Sequence, residues 1–250
     1  MAAVGQWVRR RLREEASTAS ARTGRLGGWA VAFRLGVVGV GIGGWFWTQS
    51  LIARRPFPSG IGDALHNLSA PLNGYLALHP TAANGLLIVS SGLVDLLALF
   101  VFAEWIFGWS VRPLLGLTLV LSLRQLMVAL CALPAPDGMI WHYPGFPSLL
   151  VTYGVSNDFF FSAHLSITVY AATELARLRR PWLTRLAVVI VVFEAASVLV
   201  LRAHYTMDVF TAIVTALYCA HLAERLSPPL GRRWARYLAP PNVSDNSTAI

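Results

Sequence analysis

The sequence has no lysine and little charge of any kind. All 20 of its basic residues are arginine, and charged residues fill only 13% of its 250 positions. A soluble domain carries about a quarter charged residues, so roughly half of the usual polar surface is missing. That shortage excludes a large soluble protein with buried helices, because several apolar stretches approach the ~20 residues that cross a bilayer. Cysteine is equally scarce. Cys131 and Cys219 lie far apart inside apolar runs, which gives neither a disulfide framework nor metal-ligand spacing. What the chain has instead is 56% hydrophobic residues and a mean hydropathy of +0.57. Its pI near 10.3 would suit nucleic acid, but the arginines fall in short segments between apolar runs. There the positive-inside bias and anionic headgroups account for them, and no nucleic-acid partner is expected.

Hydropathy and breakers predict an all-α integral membrane protein with six transmembrane helices. Residues 1–28 read as a basic cytosolic arm, with "RRRLREE" at 9–15. Spans are expected at 29–52, 84–107, 111–133, 156–176, 183–203 and 205–226, making 29–226 one catalytic membrane domain. The first run is too long for a signal-peptide core and lacks a cleavage site. Residues 53–83, rich in Pro, Gly and Asn, read as a re-entrant or surface segment. The aromatic, proline-rich 134–155 connection reads as an interfacial loop. Residues 227–250 form a basic, then polar cytosolic tail. No repeat and no second domain are apparent.

Six spans put both termini on one side. The arginines at 9–25, 112, 177–180 and 225–236 then share that side, leaving Arg54, Arg55 and Arg202 near the other. Both termini are therefore expected in the cytosol. Two polar intrusions, "DFFFSAH" at 158–164 and "RAHYTMD" at 202–208, then share the extracytoplasmic or lumenal face.

These intrusions carry the chemistry. His204 and Asp208 are spaced i, i+4, which stacks them on one helical face. A carboxylate so placed fixes the imidazole tautomer, frees the other nitrogen's lone pair and stabilises a cationic or covalent imidazole. His164 is expected near the same face. Two histidines and an orienting Asp are the minimum for phosphoryl transfer through a histidine nucleophile, one attacking phosphorus and one moving the proton. Arg202 and Arg124, the latter about 14 Å below its span's outer end, can fork onto phosphate oxygens. Other roles stand beside these. A histidine within a span also serves as an interhelical hydrogen-bonder, and Arg124 could neutralise Asp95 or Glu194. His66, His79, His142 and His221 lack such company and suit interfacial or capping roles. No His or Cys pair at i, i+3 or i+4 supports a metal site, and no cofactor is expected. Of the sequons at Asn67, Asn242 and Asn246, the last two fall in the expected cytosolic tail and are uninformative.

Three stretches resemble the sphingomyelin synthase-like branch of the type-2 phosphatidic acid phosphatase superfamily. They are "LRQLMVALCALPAPDG" (123–138), "NDFFFSAH" (157–164) and "RAHYTMDV" (202–209). Arg124–Gln125 with "LPAP" is also similar to the plant phosphatidylcholine:diacylglycerol cholinephosphotransferases. The resemblance covers about residues 122–226. It implies His204 as nucleophile, Asp208 as its orienting acid, and His164 as acid and then base around a phospho-histidine intermediate. It also implies substrate-binding roles for Arg124, Arg202, Asp158, Ser162 and Tyr205. Asp158 would meet a cationic headgroup amine or cap a helix. Ala163 replaces the family's usual glycine. The superfamily's lysine-containing opening motif is absent, and Val198 stands where lipid phosphatases have an arginine.

These departures favour a headgroup transferase over a phosphatase. The expected reaction moves a phosphocholine-like or other phospho-headgroup from a glycerophospholipid to a lipid hydroxyl, on diacylglycerol or ceramide. The rivals are a lipid phosphate phosphatase with water as acceptor and a non-catalytic lipid-binding protein. Membrane lipids are the expected partners in each case.

Overall fold

The computed structural model describes residues 28–54, 60–108, 110–131, 133–151, 153 and 159–238, with side chains described for part of 28–54 and none beyond 231. The expected arm, the end of the tail and Asp158 lie outside the described residues. Among those described there are seven helices and no strand. The helix α1, Gly28–Ala53, belongs to a unit of its own, residues 1–59. It coincides with the expected first span, and Phe33, Val40 and Trp47 on it are exposed.

The second unit, residues 60–250, holds α2 (Ala64–Leu78), α3 (Pro80–Ile106), α4 (Arg112–Leu130), α5 (Ala163–Arg177), α6 (Pro181–Val200) and α7 (Thr206–Leu238). Four of these, α3, α4, α6 and residues 206–231 of α7, are long and apolar enough to cross a membrane. Their outward side chains, such as Leu96, Leu99, Val188, Val189 and Val192, are exposed. These helices mark a multi-pass integral membrane protein. Proline stands in the first turn of α3, α4 and α6, where its fixed φ suits the helix and its missing N–H has no intrahelical partner to lose.

The short α5 packs against α3, α4, α6 and α7. Leu165, Ile167, Val169, Tyr170, Ala171 and Leu175 are buried around it, the pattern of a helix enclosed on all sides. At 15 residues it is only about 22 Å long, short of the ~30 Å hydrocarbon core. The expected span at 156–176 therefore begins later than hydropathy suggested. The reason is local: Ser162 is the N-cap, its hydroxyl accepting the Leu165 N–H at 3.3 Å. Residues 159–162 ahead of it are irregular. Within 53–83, read as a non-spanning segment, lies the 15-residue α2, capped by Asp63 and ended at His79.

An ion-pair chain ties the start of α4, the last turn of α5 and the middle of α7 together. Arg112 of α4 meets Glu174 of α5 at 2.6 Å, Arg177 lies 3.8 Å from Glu174, and Arg177 reaches Glu224 of α7 at 3.0 Å. Tyr170 donates to the Arg112 carbonyl at 3.0 Å, and the hydroxyl end of its ring lies against Gly116. A Cβ at Gly116 would meet that ring at 2.2 to 2.3 Å. Tyr170 is fully buried and cannot yield, so Gly116→Ala is expected to cost about 1–3 kcal/mol through overpacking. A lowered melting temperature of the detergent-solubilised variant checks this; an unchanged one refutes it.

Candidate active site

Counting from the ion-paired ends fixes depth. Arg124 is twelve residues from Arg112 and His164 thirteen from Arg177, so both lie about 18–20 Å from that layer. α4 ends at Leu130, earlier than the expected 133, which puts Arg124 about 9 Å from its near end rather than 14 Å. His204 lies in the turn between α6 and α7, and Asp208 in the first turn of α7. Arg124, His164 and His204 line one cavity of about 190 Å³, with Gln125, Trp141 and Phe159. That volume is below the ~300 Å³ at which pockets begin to enclose drug-sized ligands.

The hydrogen bonds of His204 define its state. Nδ1 lies 3.1 Å from the Phe159 carbonyl oxygen. A carbonyl can only accept, so Nδ1 carries the proton and Nε2 keeps the lone pair. Asp208, fully buried, has Oδ2 at 3.7 Å from the same Nδ1 while accepting the Tyr205 N–H at 2.9 Å. The carboxylate thus stands close enough to stabilise positive charge on the ring, and the Phe159 carbonyl holds the hydrogen bond. His164 is 7% exposed, packs edge-on against Trp141 at 5.0 Å between ring centroids, and its Nε2 has no hydrogen-bond partner among the described residues. A buried, unpartnered imidazole nitrogen beside a cavity is costly unless something binds there.

Arg124 is also buried, its Nε donating to the Phe161 carbonyl at 3.1 Å. Asp95 and Glu194 each have partners of their own. Asp95 accepts Ser148 Oγ and the N–H groups of Leu149 and Leu150 at 2.7 to 3.0 Å, and Glu194 accepts Ser90 Oγ at 2.6 Å. The irregular backbone before α5 is thus put to use, its carbonyls at 159 and 161 taking one bond from each of two cavity residues.

The remaining expected site residues fall elsewhere. Arg202 adopts a left-handed φ of 53°, which turns its side chain away from the cavity. It donates to the Asp137 carbonyl at 2.6 Å and the His66 carbonyl at 3.4 Å, beside a separate depression of about 260 Å³. Tyr205 lines that same depression and donates to the Pro134 carbonyl at 3.1 Å. Ser162 is buried as the α5 cap. Among the described residues no group of three His, Cys, Asp or Glu could hold a metal ion.

Two residues given no site role by the sequence stand behind the nucleophile candidate. His66 Nε2 donates to the His204 carbonyl at 2.9 Å, and the ring stacks on Tyr205 at 5.6 Å. Asp63 accepts both the N–H and the hydroxyl of Thr206 at 2.6 Å while capping α2 through the N–H groups of Leu65 and His66. Partial burial pushes the Asp63 carboxyl up, but the Thr206 hydroxyl and N–H and the His66 N–H outweigh it and hold it below the usual range. With the folded value depressed, Asp63 contributes stability above its unfolded pKa of about 3.9, lost as pH falls through the folded value. The melting-temperature gap between wild type and Asp63→Asn is therefore expected to be large at pH 7 and to shrink below about pH 4. A gap constant with pH would refute the assignment.

Comparison with known proteins follows this geometry. A family model described as AtPDCT1/2 matches residues 63–225, well over half of the chain. Phosphatidylcholine:diacylglycerol cholinephosphotransferase 1 of Arabidopsis thaliana is 21% identical over 187 residues, covering 75% of this chain and 60% of the relative. The chain thus spans about three-fifths of that relative's length. No solved structure matches. The match begins at Asp63, the α2 cap, and runs through Asp208 to the end of the ion-paired region; the chain belongs to the AtPDCT1/2 family.

Proposed function

We propose that the protein is a lipid headgroup phosphotransferase that moves a phosphocholine-like group from a glycerophospholipid to a lipid hydroxyl, with diacylglycerol the favoured acceptor. The observation that carries this reading is the pair of buried histidines in one cavity. His204 has its Nδ1–H turned to the Phe159 carbonyl, which leaves the Nε2 lone pair for attack. The family match and the cholinephosphotransferase relative support the headgroup and the acceptor.

In the first half-reaction His204 Nε2 bonds to the donor's phosphorus. The bond from phosphorus to the glyceride oxygen breaks, and His164 gives that oxygen a proton. Asp208 stabilises the cationic ring, and Arg124 balances the phosphoryl charge from across the cavity. In the second, His164 takes the proton from the acceptor hydroxyl. The acceptor oxygen bonds to phosphorus, and the nitrogen–phosphorus bond breaks. Transfer outruns hydrolysis because the cavity is small and walled by Leu121, Leu150 and Ile167, which favours a lipid alcohol over water. The active face is the extracytoplasmic or lumenal one, with the ion-paired ends and both termini in the cytosol.

The test uses purified protein in phosphatidylcholine nanodiscs with radiolabelled diacylglycerol or ceramide. Conversion of labelled diacylglycerol into labelled phosphatidylcholine is expected. Release of free phosphocholine or phosphate without any acceptor-dependent lipid product would sink the proposal in favour of hydrolysis.

A further inference from the structure

The turn that carries His204 is gripped from outside the cavity. Five hydrogen bonds join it to α2 and its cap, two of them between Thr206 and Asp63. Asn73 Nδ2 donates to the Val200 carbonyl at 2.8 Å, the His66 carbonyl accepts from Arg202 at 3.4 Å, His66 Nε2 donates to the His204 carbonyl, and Asp63 holds Thr206. These contacts bracket His204 on both sides and bridge more than 120 residues of sequence. The turn needs holding, since Arg202 sits at positive φ, a conformation that is strained for a non-glycine residue and persists only when its surroundings over-determine it.

We infer that His66 is a positioning residue for the His204 nucleophile, an inference that rests on the function proposed above. Its ring is 7% exposed and bonds the carbonyl of His204 itself, not of a neighbour. That bond fixes the peptide from which the nucleophile's Cα–Cβ vector departs. The Phe159 carbonyl then fixes the imidazole by its far nitrogen. A side chain with two rotatable bonds, anchored at its root and at Nδ1, has one direction left for Nε2. His66 is not among the residues that line the cavity, and it meets His204 through that carbonyl while its ring stacks on Tyr205. Its effect belongs to orientation, where a displacement of about 1 Å costs about 100-fold in rate.

A plain structural brace would act differently, and the experiment separates the two. Wild type, His66→Ala and His66→Gln are compared in nanodiscs for kcat, KM and melting temperature, and by nitrogen-15 NMR of histidine-labelled protein. The His204 ring signals are identified by their loss in His204→Gln. For His66→Ala, kcat is expected to fall about 100-fold with donor KM nearly unchanged. The His204 ring shifts are expected to collapse toward those of exchanging tautomers. His66→Gln, whose amide can donate to the same carbonyl, recovers most of both. Wild-type kcat in His66→Ala overturns the inference, as do unaltered His204 shifts or losses in both variants that track melting temperature alone. If wild type itself turns over no lipid, the proposed function fails, and the ring shifts still decide the role of His66.

Discussion

Replacing His204 with glutamine or alanine is expected to lower headgroup transfer by about ten-thousand-fold, the scale seen when one member of a nucleophilic unit is removed. In the proposed mechanism both half-reactions pass through its Nε2, so no donor or acceptor escapes the loss. Glutamine is the more telling replacement. Its amide can still donate to the Phe159 carbonyl that now takes the Nδ1–H at 3.1 Å, so the lining of the cavity is preserved while the nucleophile is gone. Measured with radiolabelled diacylglycerol at matched melting temperatures, a variant that keeps a tenth of wild-type activity excludes His204 as nucleophile.

His164→Ala is expected to split by leaving group. With phosphatidylcholine the departing glyceride oxygen needs a proton, and losing the acid costs about 10²–10⁴ in rate. A p-nitrophenyl phosphocholine ester leaves without a proton at neutral pH. The variant should therefore release a near-normal burst of nitrophenol and then stall, because the base for the acceptor hydroxyl is missing as well. Phosphorylated enzyme accumulates in that stalled state and can be trapped at alkaline pH. Equal losses with both donors would show that His164 shapes the cavity without moving a proton.

The two experiments rest on residues visible in the sequence for a stated reason. His204 and Asp208 announce themselves by i, i+4 spacing, and His164 and Arg124 by charge or polarity inside apolar runs; the structure brings the two histidines and Arg124 to one cavity. His66 and Asp63 carry no comparable mark. Each lies in a segment full of breakers and other polar residues, and its partner lies 138 or 143 residues away. The Phe159 carbonyl could not be singled out at all, since every residue has one. Arg202 shows the opposite failure. Two positions from His204 suggested a shared site, but a single left-handed residue redirects the chain and sends the guanidinium to another depression. The fold followed the same division. Hydropathy located α3, α4, α6 and the start of α7 to within a few residues, but it stopped α7 at 226 where the helix runs on to Leu238, and it extended α5 through residues that the Ser162 cap excludes from the helix.

The shortness of α5 reaches further than its boundary. The ion pairs tie its last turn to the first residue of α4 and to Glu224, eighteen residues into α7, so its deficit falls at the His164 end. There the bundle is a well, whose floor is the first turn of α5 and whose rim is the longer helices around it. A phospholipid resting at the ordinary interface holds its phosphate above that floor. On the proposed function it would have to sink by about the 8 Å that separates a 22 Å helix from a 30 Å core, and local thinning or tilting of the surrounding bilayer meets such mismatch at modest cost. The helix that carries His164 thereby sets how far a lipid descends before its headgroup can be exchanged.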